Sequence, residues 1–432
     1  MKISGMRWLV IGLIALATVI NYIDRNALAV MWPAVSEDIG ADKTDYALFV
    51  TVFMIAYAIG QSLFGRVFDV IGTRLGFAVS IVVWSASIAL HMLVRSSGLL
   101  TVLRFTLGIS EAGNWPGATK ASATWFPARE RALAQGIFNS GAALGAIVSA
   151  PLVAGLYAQF GWRTTFLLIG LLGILWLLPW MWFYRADPKE HPWLSEAERR
   201  HILGDEHARG GVPTPSPSWG ELLKHRQSWA VILSRFFLDP IWWLFVSWLP
   251  IYLAETFGFD VKQIGAFAWV PFVGAMLGSL SGGWLAGVLI RRGWSINATR
   301  KTVISAGGII MMPPLLLTMS AADPMNAVLL IAVILFGFQV AINNIQTLPS
   351  DFFGGGAVGS LAGISGTAAV AGTLITTWLV PAMTAESYAP IFALAAALVP
   401  MSLVCLWLCG GVIGPVDARR SVSSTVVQED KA

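Results

Sequence analysis

Asn21-Tyr22-Ile23-Asp24-Arg25 sits in the middle of an apolar run that extends from Trp8 to Trp32. The run has the length of a membrane-spanning helix, about 20 to 25 residues at roughly 1.5 Å each. An ionised Asp or Arg at the centre of such a helix costs roughly 2.5 to 3.5 kcal/mol even on insertion scales. Neighbouring residues on a helix point about 100° apart, so Asp24 and Arg25 cannot neutralise one another face to face. Each therefore needs a partner on another helix, or water. The competing reading is a helix end whose charges snorkel into the headgroups. Ala27 to Trp32 continue the apolar run beyond the charges, which favours a polar cavity.

Composition extends this reading to the whole chain. Of 432 residues, 56% are hydrophobic and 12% charged, against roughly a quarter charged in soluble domains. Mean hydropathy is +0.69, and the net charge of +4 is modest, so loop topology explains the basic excess better than nucleic acid. Cys405 and Cys409 lie four apart in the last apolar run and read as packing residues, with no disulfide or metal site. The basic start, Met1 to Arg7, is followed by an apolar run without a small-residue cleavage motif, so no cleavable signal peptide is expected.

Apolar runs long enough to span a bilayer fall at 8–33, 45–65, 74–94, 97–124, 131–157 and 161–183, then at 228–254, 264–289, 300–320, 324–347, 357–381 and 387–411. The spacing predicts an all-α polytopic membrane protein with twelve transmembrane helices in two six-helix bundles. The expected organisation is an N-terminal bundle over 1–184, a central loop over 185–227, a C-terminal bundle over 228–414 and a tail over 415–432. Within the loop, a short surface helix precedes a flexible Pro/Ser linker, Val212 to Ser218. The even-numbered breaks carry Arg66, Arg74, Arg129, Arg131, Arg291, Arg292, Arg300 and Lys301, while the first break is acidic. The positive-inside rule then puts both termini and the central loop in the cytoplasm.

The two halves echo each other. Thr124 to Glu130, followed by Gly136 to Gly145, is matched by Thr347 to Phe353, followed by Gly354 to Gly366; Gly65 to Arg74 has a degenerate counterpart at Gly283 to Arg292. Internal repetition of this kind marks transporter halves related by an axis along the membrane normal.

The fourth run contains a second costly set, Arg104, Gly108 and Glu111, at spacings of four and three that share one helix face. The structural alternative is that Glu111 only neutralises an arginine and pins two helices; two such sets in one half favour function. A guanidinium offers a fork that matches a carboxylate substrate, whereas a partly buried Asp or Glu can load and release a proton. Tyr57 is a polar tip in an apolar helix, suited either to a ligand hydroxyl or to packing. Gln339, Asn343, Asn344 and Gln346 place amides in another apolar run, and a sugar's hydroxyls need such two-way groups. Helix–helix glue is the alternative use, at roughly 0.6 kcal/mol per pair. Arg235 and Asp239 stand four apart and form an internal pair or a gate. Trp242, Trp243, Trp248 and Trp269 suit either sugar stacking or lipid belts, and His91 reads as a packing histidine.

Gly65-Arg66-Val67-Phe68-Asp69-Val70-Ile71-Gly72-Thr73-Arg74 resembles the loop signature of the major facilitator superfamily. Asn21 to Arg25, Arg104 with Glu111, and Trp125 to Arg131 resemble its anion:cation symporter branch. Arg185 to Pro192 with Leu194 to Arg199, Lys120 to Pro127, Ala266 to Phe272, and Arg235 with Asp239-Pro240 are most similar to that branch's hexuronate transporters. The resemblance implies a proton-coupled symporter in a bacterial inner membrane that imports a sugar-acid anion, such as glucuronate or galacturonate. It implies that Arg25 and Arg104 hold the substrate or gate, that Tyr57 contacts substrate, and that Asp24 and Glu111 take protons; Asp69, Arg74, Arg235 and Asp239 are the candidate gating residues. Asn344 and Gln346 join the substrate contacts on their own chemistry. Ala142 is a departure, since galactonate-type relatives carry glutamine there. An aldonate or an aldarate is the alternative cargo. The expected partners are the anion, protons and lipid, around a monomer without cofactor or metal. A membrane enzyme is disfavoured because no His/Cys cluster occurs, and a solute receptor because the tail from Val416 to Ala432 is short.

Overall fold

The computed structural model describes residues 4–208, 217–259, 261–354, 356–384 and 386–416. Most of the expected linker Val212–Ser218 and nearly all of the tail 415–432 lie outside the described residues.

Helix α1 (Met6–Ile39) ends at Gly40, whose left-handed backbone, φ 66°, lets its N–H close on the Ser36 carbonyl. Helix α2 (Lys43–Leu90) starts on a capping box: Asp42 accepts from the amides of Thr44 and Asp45, and Asp45 reaches back to the Asp42 amide. Part of the acidic first break thus caps a helix. Gly72 breaks α2 with φ 79°, and Gly161 breaks α5 (Ala128–Phe183) with φ 71°. Between them lie α3 (Ser97–Glu111) and α4 (Asn114–Trp125), which together make one span interrupted at Ala112 and Gly113. Two short helices follow, α6 (Glu196–Ala208) and α7 (Trp219–Lys224). The second half comprises α8 (Arg226–Phe257), α9 (Val261–Phe267), α10 (Val270–Arg291), α11 (Ile296–Thr318), α12 (Pro324–Ile345), α13 (Leu348–Phe352), α14 (Val358–Met383) and α15 (Ala389–Gly410).

Among the described residues, nine helices are long and apolar enough to cross a membrane. Two of the nine, α2 and α5, each hold two spans across their glycine breaks, and α3 with α4 supplies another, which gives twelve. The protein is therefore an all-helical, multi-pass membrane protein of two six-helix bundles. One buried apolar cluster lies mainly in the first bundle and takes in Val370 of the other; a second lies mainly in the second bundle and takes in Tyr22, Ala142 and Ala143 of the first. A small third cluster, Ala132, Ala286, Val303 and Val340, joins them.

The start of α1, helices α6 and α7, and the end of α15 share one face, here termed the connector face. Gly5 and Met6 donate to Glu198 of α6, Arg66 donates to the Pro217 carbonyl, and the Val416 amide donates to Phe352. On the opposite face Arg163 pairs with Asp38 and donates to the Val94 carbonyl.

Two seams hold the bundles together on the connector side of the molecule. In the first, α2 meets α14 so closely that a Cβ on Gly65 would lie 2.4 Å from the Gly359 carbonyl oxygen. In the second, α5 meets α10, and a Cβ on Gly136 would lie 2.3 Å from the Ser279 oxygen. Without a hydrophobic drive between helices in lipid, close backbone approach of this kind is what joins them. Asp69 fastens the first seam: its carboxylate accepts from Lys120 at 2.6 Å and from the Gly359 and Ser360 amides at 3.1 and 2.6 Å. Asp351 fastens the second, through Arg300 at 2.8 Å and Arg131 at 3.8 Å. Arg300 also donates to the Ala128 carbonyl of the other half.

Candidate substrate cavity at the bundle interface

Between the bundles lies a cleft with about 570 Å³ of empty space, its open mouth included. The first half contributes Tyr22, Arg25, Tyr57, Gln61, Trp115, Asn139 and Ala142; the second contributes Arg235, Asp239, Trp242, Trp243, Gln339 and Gln346, among others. Aromatic rings with a few convergent polar groups are the usual lining of a small-molecule site.

Arg25 is the cation at its centre. Its Nε and Nη2 donate to Glu111 Oε2 at 3.3 and 3.2 Å, and Nη2 also donates to Asn21 one turn below at 3.1 Å. Nη1 is buried without a partner. The guanidinium carbon lies 4.8 to 6.0 Å from the ring centres of Tyr57, Tyr22, Phe53, Trp243 and Trp115. Trp243 comes from the second half, so both bundles contribute to this cage. Each desolvated cation–ring contact contributes about 0.5 to 2 kcal/mol, which lets a charge persist with one nitrogen unpaired.

Behind the wall stands a column of charges within the first half. Asp24 is 1% exposed and neither carboxylate oxygen has a partner; Glu111 keeps Oε1 unpartnered. Arg104 lies with its guanidinium carbon 4.6 Å from the Phe53 ring centre, its Nε and Nη1 unpartnered. The same ring thus carries Arg25 and Arg104. Glu111 pairs with Arg25 of α1, although sequence spacing puts it on the face of Arg104.

Of the residues singled out in the sequence, Arg25, Tyr57, Gln346, Arg235 and Asp239 come together on the cavity wall. Asp24, Glu111 and Arg104 do not line it. Asn344 parts company with Gln346: its amide accepts from Arg300 and donates to the Val340 carbonyl, both at 3.1 Å, inside the second seam. Arg235 and Asp239 form an internal pair at 2.8 Å, and Arg235 also donates to Ser365. Asp69 sits in the first seam, and Arg74 donates to the Met181 carbonyl of its own half at 2.7 Å. Trp242 and Trp243 reach the cavity, whereas Trp269 is 47% exposed on the outside. His91 is buried against Phe166, its Nδ1 2.7 Å from the Ser87 carbonyl.

Sequence reasoning missed Asn139, Gln61 and Trp115 on the wall. The rule that found Tyr57, a polar group in an apolar run, applies equally to Gln61 and Asn139. Trp115 carries no such mark among 20 tryptophans.

The two-bundle fold and central cavity define a secondary transporter. The sequence profile of the Major Facilitator Superfamily matches residues 14–377, and the chain belongs to that superfamily; it is a transporter rather than an enzyme. It is 33% identical over 410 residues to the hexuronate transporter of Escherichia coli strain K12, with 94% of each chain covered. It is 36% identical over 317 residues to the galacturonate transporter of Dickeya chrysanthemi, covering 72% of this chain and 91% of that one. A probable L-galactonate transporter of Escherichia coli strain K12 is 32% identical, with 76% of this chain and 72% of that one covered. Among solved structures, the human organic anion transporter MFSD10 matches with a TM-score of 0.70 at 15% identity, over 94% of this chain and all of that one, a likeness of fold.

Proposed function

We propose that this protein is a proton-coupled symporter that imports a hexuronate, glucuronate or galacturonate, across a bacterial inner membrane by alternating access. The observation that carries the proposal is Arg25: a caged guanidinium in the cavity between the bundles, with Nη1 buried and unpartnered. A carboxylate supplies the missing acceptor, and a charge-assisted bond in such surroundings contributes about 1.5 to 3 kcal/mol. Tyr57, Asn139, Gln339 and Gln346 stand on the same wall for the sugar's hydroxyls. Ala142, without a polar group there, favours a hexuronate over a galactonate. The likeness to hexuronate, galacturonate and galactonate transporters supports a sugar acid as cargo.

Proton coupling is read from Asp24 and Glu111. A carboxylate buried without partners, as Asp24 is, is costly while ionised, and taking up a proton removes that cost; Glu111 keeps one oxygen in that condition. Glu111 shares Arg25 with the substrate, so proton and anion act on one guanidinium. A proton on Glu111 releases Arg25 for the substrate, and substrate on Arg25 favours the proton on Glu111, as linkage requires. Arg104, across the Phe53 ring, adds positive potential behind the site. With basic breaks on the connector face, both termini lie in the cytoplasm and the two seams close the cytoplasmic side. The bundles 1–184 and 228–414 then rock against each other as a monomer. Asp69 gates one seam, Arg74 braces it from within its own half, and Arg235 with Asp239 gates at the cavity.

The test is uptake by proteoliposomes with an imposed pH gradient, comparing glucuronate, galacturonate, galactonate and glucarate. Accumulation of a hexuronate driven by external acid is the expected result. Preference for galactonate or glucarate would replace the cargo, and uptake indifferent to the gradient would remove the symport.

A further inference from the structure

The cavity floor carries a hydrogen-bonded group that joins the two bundles. Asn139 of α5 donates through Nδ2 to the side-chain oxygen of Gln346 at 2.6 Å and to that of Asn343 at 2.7 Å. Asn343 in turn donates to the Ser279 carbonyl at 2.8 Å, and the Ser279 hydroxyl donates back across the interface to the Gly136 carbonyl at 3.0 Å. All four side chains are buried. Two of them, Asn139 and Gln346, also face the cavity.

This position separates them from the other inter-bundle fastenings. Asp69 and Asp351 hold the seams from outside the cavity, beyond the reach of anything bound in it. The bond from Asn139 to Gln346 is both a fastening and part of the binding wall. A ligand hydroxyl that donates to the Gln346 oxygen competes with the Asn139 amide for an acceptor that the amide otherwise has to itself, and so weakens the bond between the bundles.

We propose that Asn139, Asn343 and Gln346 form an amide clasp that keeps the cavity closed toward the connector face, and that hydroxyls of the bound substrate undo it by exchanging with Asn139. Asn139 is thereby a positioning residue for the conformational change, and Gln346 couples binding to opening. The clause about substrate rests on the reading of the cavity as a sugar-acid site; the clasp itself does not. Release of the clasp frees buried amides that need new partners, and a polyhydroxylated ligand supplies them. A carboxylate without hydroxyls binds Arg25 but leaves the clasp shut. The site thus discriminates at the opening step as well as at binding.

The experiment uses full-length protein with Cys405→Ser and Cys409→Ser and a reporter, Ala286→Cys. Ala286 is fully buried in the small cluster joining the bundles on the connector side of the clasp. Without any substrate, Asn139→Ala should raise maleimide labelling of the reporter about tenfold, the change given by loss of about 1.4 kcal/mol from the closed state. Gln346→Ala removes one of the two Asn139 bonds and should raise labelling less, and the double variant should not exceed Asn139→Ala by much, because the bond lost in Gln346→Ala is already lost there. Spin labels at Thr44→Cys and Glu386→Cys on the opposite face should shift to shorter distances in Asn139→Ala. Unchanged labelling, additive effects, or broadened rather than shortened distances would overturn the clasp. Glucuronate and galacturonate should accelerate labelling in the protein with Asn139 intact, whereas acetate should not. Equal acceleration by acetate, or none by any anion, would remove the exchange step. Because the first measurements need no ligand, they stand even if the cargo proves to be another anion.

Discussion

Two groups of buried acids divide this molecule. At the connector-side seams, Asp69 accepts a lysine and two backbone amides, and Asp351 accepts Arg300, fully buried itself, and Thr347 through one oxygen, while its other oxygen has the Arg131 charge 3.8 Å away in place of a hydrogen bond. In the column behind the cavity, Asp24 has no partner at either oxygen and Glu111 has one oxygen idle. Both groups are equally removed from water, so burial alone does not distinguish them. Partnership does. A satisfied buried pair resists change, since loss of one member strands the other; an unsatisfied group changes its charge or ligand readily. On the proposed mechanism the seams hold the closed state until the column changes its charge.

The sharpest way to break this contrast is Asp351→Asn. Arg300 would then keep its charge at zero exposure with only neutral acceptors, and stability should fall by about 3 to 5 kcal/mol. Thermal denaturation in detergent reads this directly; an unchanged midpoint would mean that the seam is not under electrostatic tension. Arg25→Ala comes next. Anion-driven counterflow in proteoliposomes should drop at least about a hundredfold, the equivalent of one lost charge-assisted contact of about 2.7 kcal/mol. Substrate binding by the purified variant at unchanged affinity would place the carboxylate elsewhere.

Glu111→Gln sharpens the column. The amide keeps the size of the protonated acid and cannot cycle a charge, so exchange should stay within about threefold while gradient-driven accumulation disappears. Continued concentration of substrate in this variant would move coupling to another group. The smallest effect on stability belongs to Asp24→Asn. With no partner to strand, the midpoint should shift by the equivalent of less than about 1 kcal/mol, in either direction, while the pH dependence of uptake flattens. A loss as large as that of Asp351→Asn would reveal a hidden partner and collapse the distinction.

Sequence showed the twelve spans because hydropathy and run length are local properties; only their ends moved, at the Gly72 and Gly161 breaks and at the interrupted fourth span. It showed which residues were costly, since Asp24, Arg25, Arg104 and Glu111 announce themselves in apolar company. It did not show who pairs with whom. Glu111 faces Arg104 by helical spacing, yet the rotation of α3 against α1 gives it to Arg25. Asn344 and Gln346, two apart, point about 200° from each other on one helix, and only packing decides which faces the cavity and which faces Arg300. Asn139 was hidden for a different reason: a lone amide in an apolar run has many harmless uses, and its importance lies in meeting α12, which no local pattern records.

The carboxylate of Glu198 receives the Gly5, Met6 and Arg7 amides at 2.7, 3.1 and 3.2 Å, closing the first turn of α1. Biosynthesis gives this bond a timetable. The first span leaves the ribosome with its opening amides bare, and the acid that covers them is translated only after the other five spans of its bundle. The cap contributes about 1 kcal/mol, and Arg7 adds salt links to Glu198 and Glu130. The opening turn of the earliest span is therefore capped only after the whole first bundle has been translated, although Trp176, Asn114 and Glu130 already hold that span to its neighbours.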